Sequence, residues 1–382
     1  MENQTMKRWW RRGIWQPLKA ARPQRVIKPF TDSDTIIGLN DLILVTGANG
    51  YIGSKVVETL LSYGFRNVRC LVRPSSRSSA LNEIINLNNG ATVEVVEGNL
   101  LSRNDCKRAT EGVSLILNLV AGIDKSFPGC FMNSVLTIRN LLESTVQHKC
   151  LKRFLHVSSF SVYSNANLKR GGLLDETCEI EDRFMERGEA YCYGKVKQEE
   201  LLKEYSKKYN IPFVIVRPGA VYGPGKSQMT ARVGIDTFGI FLHLGGSNLI
   251  PLTYIDNCAD AMILAGIMKG MDGEVFNIVD DELPKSRTFL RMYKSRVGPM
   301  KSVFIPYPIF YFLCYLWERY AGWSKGQVPP VFNRRKCSAY WKRNTYSNDK
   351  LKQKLGWEPR VSFLEGSNRF FDYIVKSESR NA

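Results

Sequence analysis

Between residues 42 and 221, short runs of Val, Ile and Leu alternate with segments of helical periodicity. The runs predict strands at LILVT, VRCLVR, TVEVVEGNL, SLILNLVAG, KRFLHVSS and PFVIVRPG. The clearest helical patterns lie between them, at 131–148 and 191–209. This alternation is typical of a parallel sheet covered by helices on both faces. Because crossovers between parallel strands are right-handed, the pattern predicts an α/β fold with a doubly wound parallel sheet.

After about Tyr222 the alternation ends, and Gly, Pro and aromatic residues become frequent. We predict a smaller, irregular C-terminal substrate-binding domain made of residues 222–253 and 281–377. Residues 254–280 carry most of LTYIDNCADAMILAG and EVFNIVD, which predict a helix and a strand that return to the main domain, residues 42–221.

Residues 1–41 form a separate basic extension with three prolines and no sustained period. We predict that it is largely disordered in water. Trp9, Trp10 and Trp15 stand among arginines, which is compatible with contact to a bilayer interface or with a solvated basic tail. Both interpretations stay open.

Residues 303–317, VFIPYPIFYFLCYLW, carry no charged side chain. Fifteen helical residues span about 22 Å, which is short of the ~30 Å hydrocarbon core of a bilayer, and two prolines weaken a spanning helix further. The segment is either a helix buried at the substrate pocket or a surface that dips into lipid. We favour the buried helix.

The formal charge of +18 is concentrated in two places. Residues 1–28 and 333–354 each carry +7, which leaves +4 for the rest of the chain. Local patches fit anionic lipid or a phosphorylated substrate better than nucleic acid, which needs a whole basic face. We therefore expect a small-molecule substrate and no nucleic-acid partner, and leave open a peripheral membrane contact and a homodimer.

The nine cysteines are scattered without metal-ligand spacing, which indicates reduced thiols and a cytoplasmic protein, with peripheral membrane attachment left open. No signal peptide is visible. With three histidines, a metal site is not expected, and His156 in RFLHVSS is interpreted as a core strand residue.

The stretch TGANGYIG lies between the first strand and a helix. Gly47 permits the tight turn, Gly50 lets the backbone approach a pyrophosphate, and Gly53 lets helix and strand pack closely. The start of the helix offers unpaired N–H groups to phosphates. We predict the dinucleotide-binding turn of a Rossmann fold, with cofactor contacts from Gly47, Asn49, Gly50, Tyr51, Ile52 and Gly53.

The end of the second strand bears on the choice of cofactor. An NAD enzyme carries Asp or Glu about 20 residues past the last glycine. This chain has Arg73 there, with Arg77 nearby and no carboxylate in RCLVRPSSR. Since arginine pairs with a 2′-phosphate, we predict NADP(H), with NAD(H) as the alternative if Arg73 is only a solvated strand-end residue.

The stretch AYCYGKVKQEEL contains two Tyr-x-x-x-Lys frames, Tyr191/Lys195 and Tyr193/Lys197. Residues four apart share a helix face, so either frame places an ammonium beside a phenol. A secondary alcohol gives up hydride only as its proton leaves, and a phenol of pKa ~10 is a poor base unless nearby positive charge favours the phenolate. The pattern alone does not choose between the frames.

Six motifs occur in family order: TGANGYIG, LHVSSFSVYS, YCYGK, RPGAVYGPG, LTYIDNCADA and KLKQKLGWEPRVSFLEG. From about Leu42 to Ser377 the chain resembles the extended short-chain dehydrogenase/reductase family, which includes the NAD(P)-dependent epimerase/dehydratases and the 3β-hydroxysteroid dehydrogenases. The resemblance implies an NAD(P)-dependent oxidoreductase and leaves the substrate open.

The resemblance favours the Tyr191 frame, because a small residue, Gly194, precedes Lys195 and Glu199 follows four residues later. Against this, the family often has glycine directly after the tyrosine, as it follows Tyr193 here. With this choice the family roles fall on three catalytic residues. Tyr191 is the acid/base, Lys195 tunes it and holds the nicotinamide ribose, and Ser159 hydrogen-bonds the reacting oxygen.

Further positions follow from the resemblance alone. Ser161 is implied as a support for Ser159. Additional cofactor contacts are implied at Asn99, Leu100, Ala121, Gly122, Pro218 and Gly219. Relatives often have Asp at the position of Asn99 and His-Leu-Ala-Ala in place of the run from Asn118 to Ala121, so this chain departs from the pattern there.

We therefore expect an NADP(H)-dependent oxidoreductase or epimerase that transfers hydride at a secondary alcohol or ketone carbon. A steroid-like or other lipid alcohol suits the aromatic 303–317 run. A nucleotide sugar suits the basic patch of Arg334, Arg335, Lys342 and Arg343, which is alternatively a solvated face. A membrane-associated, non-catalytic NADP-binding scaffold is the alternative from another class.

Overall fold

The computed structural model describes residues 30–381 apart from positions 75, 77, 78, 89, 123, 149, 238, 326 and 330. The predicted tryptophan-containing arm and Arg77 therefore lie outside the described residues. The chain divides into two units, residues 1–31 and residues 32–382, and the elements below belong to the second unit.

The strands of the described chain are numbered here in sequence order. Strands β1 to β14 are Leu42–Thr46, Asn67–Val72, Thr92–Glu97, Leu115–Asn118, Arg153–Val157, Leu173–Leu174, Phe213–Pro218, Ala220–Tyr222, Gly234–Thr237, Ile240–His243, Leu252–Tyr254, Val275–Ile278, Ser302–Phe304 and Thr345–Tyr346.

The α-helices are numbered in the same way. Helices α1 to α13 are Tyr51–Ser62, Ser79–Asn86, Arg103–Thr110, Phe127–Cys130, Thr137–Thr145, Phe184–Arg187, Ala190–Tyr209, Ile255–Ile267, Ser286–Arg296, Tyr307–Trp323, Arg334–Trp341, Asp349–Leu355 and Phe363–Asn381. A π-helix at Phe131–Leu136 leads into α5, and short 3-10 turns lie at Asp32–Asp34 and Phe160–Val162.

Seven of the described strands form one parallel sheet in the order β3-β2-β1-β4-β5-β7-β12. Strands β4 and β5 are buried along their whole length. A strand covered on both faces must be apolar throughout, which explains the near-continuous Val/Ile/Leu runs. The predicted α/β fold with a doubly wound parallel sheet is confirmed, and the six predicted strands are its first six in sequence order.

The last strand of this sheet comes from late in the chain, as the sequence predicts. β12 pairs with β7, with Val275 opposite Ile215. The preceding helix α8 is buried along almost its whole length, because it packs directly against the sheet. The polypeptide between β8 and β11 contributes β9 and β10 to a separate three-stranded sheet, and the third strand of that sheet, β13, comes from later in the chain.

The predicted extension, residues 1–41, overlaps the folded body. The Ile36 N–H donates to the Ile267 carbonyl at 2.8 Å, and Thr35 forms a β-bridge with Met268. Ile37 is buried. The folded body therefore begins at Asp32 rather than at Leu42, because apolar residues of this short segment bond to the end of α8.

The favoured interpretation of residues 303–317 as a buried pocket helix is wrong. They form β13 and much of α10, and only one side of α10 is covered, at Phe310, Cys314 and Ala321. Phe310 and Cys314 pack with residues of α11 and β10, and the opposite side of the helix is exposed in the described structure. In the described part of the chain, every helix is too short or too polar to span a bilayer.

The turn from β1 to α1 is packed tightly against the start of the helix. Gly47 has φ +69°, a conformation that favours glycine. A Cβ on Gly53 would lie only 2.0 Å from the Gly47 carbonyl oxygen and 2.8 Å from its carbon. The helix therefore rests on the turn with no room for a side chain.

We expect Gly53→Ala to lower the free energy of unfolding by about 1–3 kcal/mol, because the turn and helix must move apart. The matched control is Gly322→Ala in α10, where a Cβ would meet nothing within 4 Å. Since alanine is the better helix former, the control should raise stability by up to about 1 kcal/mol. Urea denaturation of both variants measures the difference, and equal stability of the two would contradict the packing argument.

Candidate active site

A cavity of about 720 Å³ opens at the carboxyl edge of the main sheet. It is lined by residues that follow β1, β4, β5, β7 and β8, because the carboxyl ends of parallel strands meet at one edge. The predicted site residues that line it are Gly47, Gly50, Tyr51, Ile52, Gly53, Ala121, Ser159, Ser161, Tyr191, Lys195, Pro218 and Gly219.

The first turn of α1 forms one wall of the cavity. Gly50 caps this helix without a side-chain hydrogen bond, and no acidic residue lies in the first turn. The N–H groups at the start of a helix have no intrahelical acceptor and carry the positive end of the helix dipole. This wall fits the pyrophosphate of a dinucleotide, which needs N–H donors and close backbone approach.

A chain of polar contacts joins the ends of β1, β4 and β5. The Thr46 hydroxyl donates to Asn118 Oδ1 at 2.8 Å, and Asn118 Nδ2 lies 3.3 Å from His156 Nδ1. His156 is fully buried, and burial, with the charge of Lys195 as a smaller cause, holds its pKa well below the usual range. His156 is therefore a neutral core residue, in agreement with its sequence interpretation. Asn118, a departure from the family pattern, connects strands here.

The two tyrosine frames have different surroundings. Burial raises the pKa of Tyr191 to about 12, and a hydrogen bond from Ser159 acts in the opposite direction. Tyr193 instead packs edge-on against the rings of Phe127 and Phe184. Of the two phenols, only that of Tyr191 lines the cavity and bonds to a serine at the end of β5.

The two lysines differ in the same way. Lys195 is buried, and its Nζ donates to the Val157 carbonyl at 2.6 Å. Burial lowers its pKa to about 7, partly offset by the carboxylate of Glu199. Lys197 is paired with Glu200 on the outer face of the helix. An anionic or polar ligand group beside Lys195 would favour its charged form.

Glu199 anchors α7 to the sheet. Its carboxylate accepts two hydrogen bonds from Arg217 on β7, Nε to Oε1 at 2.9 Å and Nη2 to Oε2 at 2.6 Å. It also accepts the Ser158 hydroxyl at 2.5 Å. Glu199 and Arg217 are each 3% exposed. This buried pair, which includes the glutamate used to choose the Tyr191 frame, positions Ser158 directly before Ser159.

Ser159 and Ser161 form the loop after β5. The Ser161 N–H donates to Ser159 Oγ at 3.1 Å. The buried Ser161 hydroxyl has no hydrogen-bond partner among the described residues, and Ser161 lines the cavity. The geometry therefore leaves a second hydroxyl free to meet a ligand.

Other predicted cofactor residues lie beside the cavity rather than on its lining. Arg73 is exposed at the end of β2, and Asn49 is half-buried in the turn. The Asn99 side chain accepts the Leu101 N–H at 3.0 Å, and the Leu100 side chain lies in the core. The backbone N–H of Gly122 donates to Ser134 Oγ at 2.9 Å. Their cofactor roles stay predictions.

Two cations of the cavity were missed by sequence reasoning. Lys226 donates its Nζ to the Val221 carbonyl at 3.1 Å and lies over the ring of Tyr51. Arg232 donates to the Ala339 carbonyl at 3.1 Å, and its guanidinium lies 5.4 Å from the ring centre of Tyr340. Their positions in the segment that follows RPGAVYGPG could have indicated a role at the cavity, because the chain leaves the carboxyl edge of the sheet there.

The charge of the cavity is one-sided. Lys195, Lys226 and Arg232 line it, and none of its described lining residues is Asp or Glu. A site with unneutralised cations attracts anionic ligands.

The basic patch chosen from the sequence behaves differently. Arg334 pairs with Glu318 at 2.7 Å, and Arg335 pairs with Glu181 at 2.5 Å. Lys342 donates to the Asn165 carbonyl at 2.8 Å. These three residues line a second, separate cavity of about 540 Å³. Since Arg334 and Arg335 are neutralised by carboxylates and the patch lies at a separate cavity, it is poorly suited to hold the substrate of the larger cavity.

Comparison with known proteins agrees with this geometry. The 3beta-hydroxysteroid-dehydrogenase/decarboxylase isoform 1 of Arabidopsis thaliana is 23% identical over 367 residues, which cover 88% of this chain and 80% of that protein. A probable polyketide synthase 9/36 of Dictyostelium discoideum is 25% identical over 297 residues, 70% of this chain but only 10% of that much longer protein.

Solved structures share the fold. The UDP-glucuronic acid 4-epimerase from Bacillus cereus, in complex with NAD, superposes with a TM-score of 0.66 at 24% identity. The UDP-glucose 4-epimerase from Thermotoga maritima, with UDP-glucose, gives 0.64 at 22% identity. In both cases the match covers 88% of this chain and 99% of the other.

The model of the NAD dependent epimerase/dehydratase family matches residues 43–278, more than half of the chain. The extended short-chain dehydrogenase/reductase resemblance is thereby confirmed. With its dinucleotide turn and its cavity at the carboxyl edge of the sheet, the chain belongs to the NAD dependent epimerase/dehydratase family of oxidoreductase-type enzymes.

Proposed function

We propose that this enzyme is an NADP(H)-dependent oxidoreductase or epimerase that acts at a secondary alcohol or ketone carbon of a nucleotide-sugar substrate. The observation that carries the proposal is that Ser159, Tyr191 and Lys195 line the same cavity as the Gly-rich turn. An acid–base phenol and a dinucleotide turn in one cavity are what hydride transfer at an alcohol carbon requires.

Tyr191 takes the proton of the substrate hydroxyl during oxidation and returns it during reduction. With substrate bound, the single hydroxyl proton of Ser159 is donated to the reacting oxygen and holds this oxygen beside the phenol. With the cofactor bound, its nicotinamide ring supplies the hydride acceptor or donor. The alcohol carbon of the substrate must therefore lie next to the nicotinamide ring, with its hydroxyl directed at the phenol.

The high pKa of Tyr191 shows that the cavity alone does not make the phenol a base. Burial raises this pKa to about 12, so the group is protonated at neutral pH. Positive charge from Lys195 and from the bound cofactor would favour the phenolate. Lys195, one helical turn from Tyr191, serves this purpose and offers its ammonium to the nicotinamide ribose.

The charges of the cavity favour a phosphorylated substrate over a steroid-like alcohol. Lys226 and Arg232 line the side of the cavity formed after β8, where Lys226 also lies over the Tyr51 ring of the Gly-rich turn, and neither is paired with a carboxylate lining the cavity. Arginine recognises phosphate through directional, charge-assisted hydrogen bonds. A neutral lipid alcohol would leave both charges without a partner.

The preference for NADP(H) is supported by the end of β2. Arg73 is exposed there, and no acidic residue lies between Leu71 and Ser76. The guanidinium is free to pair with a 2′-phosphate, while the carboxylate that would accept the two ribose hydroxyls of NAD is missing from this stretch.

The substrate proposal predicts conversion of nucleotide diphosphate sugars and no conversion of hydroxysteroids. The enzyme is incubated with each class and either cofactor, and products are resolved by chromatography. Arg232→Ala should raise KM for the nucleotide sugar about 10–100-fold, through loss of a charged hydrogen bond. Arg343→Ala, in the separate basic patch, is the control and should leave KM unchanged. Conversion of a hydroxysteroid alone would replace the nucleotide-sugar assignment with the lipid-alcohol one.

Tyr191→Phe should lower kcat by about 10²–10⁴-fold while leaving cofactor affinity unchanged, because only the acid–base proton is removed. Tyr193→Phe, which keeps the ring contacts with Phe127 and Phe184, is the matched control and should remain active. Turnover and cofactor fluorescence are measured for both variants. Full activity of Tyr191→Phe with loss in Tyr193→Phe would move the role to the second frame.

Arg73→Ser should weaken NADP(H) binding about 10–100-fold and leave NAD(H) binding unaffected, since the lost contact is to the 2′-phosphate. Arg66→Ser is the control, because Arg66 is exposed at the opposite end of the same strand. Both dissociation constants are obtained by fluorescence titration. Tighter binding of NAD(H) than of NADP(H) by the unaltered enzyme would refute the preference.

A further inference from the structure

The strand β13 and the helix α10 present an apolar surface to solvent. We define the docking face as eight apolar or aromatic residues that are each at least 46% exposed: Val303, Phe304, Ile309, Phe312, Leu313, Leu316, Tyr320 and Trp323. Phe312 is 57% exposed and Trp323 is 78% exposed. Contiguous apolar surface of this kind marks an interaction site.

The helical part of the docking face is a single stripe. At about 100° per residue, the exposed positions 309, 312, 313, 316, 320 and 323 fall within an arc of about 100°. The buried positions 310, 314 and 321 lie on another arc, and the first two pack against α11. α10 is thus apolar on two sides, of which one is buried in the core and the other is exposed to solvent.

The charged residue nearest the stripe in the helix is basic. Arg319 is exposed beside the stripe, whereas Glu318 points the other way and pairs with Arg334. Aromatic side chains continue along the helix, with the rings of Tyr320 and Trp323 stacked at 5.9 Å. Tyr and Trp are the residues that favour the boundary between lipid headgroups and acyl chains.

A basic segment borders the docking face on its β13 side. Between residues 283 and 317 the chain has six Lys/Arg and no Asp/Glu. Lys294 of α9 donates to Ser302 Oγ of β13 at 2.5 Å. Arg287 donates its N–H to the Gly246 carbonyl, and a Cβ at Gly246 would lie 3.0 Å from the Phe304 ring. The basic segment therefore lies beside the β13 side of the docking face.

We propose that the docking face binds the surface of a bilayer containing anionic lipids, with α10 lying in the plane of the interface. The apolar stripe enters the headgroup boundary and the basic border contacts the anionic headgroups. The helix is apolar enough to lie in the interface and too short to cross it. A second copy of the chain fits less well, because a symmetric contact would bring the same basic border against itself.

The proposal is tested by co-sedimentation of the full chain with phosphatidylcholine vesicles containing phosphatidylglycerol. Binding is expected, and it should fall as the salt concentration rises or when phosphatidylglycerol is omitted. The double variant Phe312→Gln/Leu316→Gln should weaken binding at least about tenfold, through loss of buried apolar area. Both side chains are exposed, so the fold should be retained, which circular dichroism checks.

The matched control is Leu87→Gln/Met185→Gln, at two side chains that are 84% and 73% exposed outside the docking face. It should bind vesicles like the unaltered chain. Undiminished binding of the α10 double variant would overturn the proposal and assign binding to another segment, such as residues 1–31. Absence of binding, or a dimer that only the α10 variant abolishes, would also overturn it.

Discussion

The buried ion pair between Glu199 and Arg217 is the interaction on which the candidate site depends. Two charges have been removed from water, and they are compensated by two hydrogen bonds to each other and by the Ser158 hydroxyl. Removing one partner of such a pair typically costs about 3–5 kcal/mol, because the other charge stays buried and unpaired. Helix α7 therefore cannot slide or rotate against β5 and β7 without a large loss of stability.

The consequence for chemistry follows from helix geometry. Tyr191, Lys195 and Glu199 are spaced by four residues, so they lie along one face of α7. Holding Glu199 against β7 therefore holds the phenol and the ammonium over the end of β5. Ser158 bonds to Glu199, and the adjacent Ser159 lines the cavity together with Tyr191.

The same network explains why a strand from late in the chain belongs to the sheet. Arg217 also donates to the Tyr163 hydroxyl at 3.0 Å, which in turn donates to Asn277 Oδ1 of β12 at 2.6 Å. The edge strand is thus connected through buried polar groups to the anchor of the catalytic helix.

Much of this could be predicted from sequence because the responsible signals are local. The Gly-rich turn follows an apolar strand within a few residues, and each buried parallel strand is a short apolar run. The exposure of one side of α10 could not be predicted, because an apolar run in the sequence does not show how many sides of the helix other elements will cover. The contacts made just before Leu42 could not be predicted for a similar reason, because Thr35 and Ile36 meet the end of α8, which is far away in sequence.

The availability of positive charge to bind a ligand was the least predictable property. A count of cations along the sequence does not show which of them are paired with carboxylates in the folded protein. The patch at 333–354 has high net charge, but Arg334 and Arg335 are held by Glu318 and Glu181, which come from other elements. The cavity has fewer cations, yet Lys226 and Arg232 face no lining carboxylate. A phosphate would have to displace existing ion pairs in the patch, whereas in the cavity it would meet charges that the fold has left uncompensated. The uncompensated charges are therefore the better guide to where an anionic substrate binds.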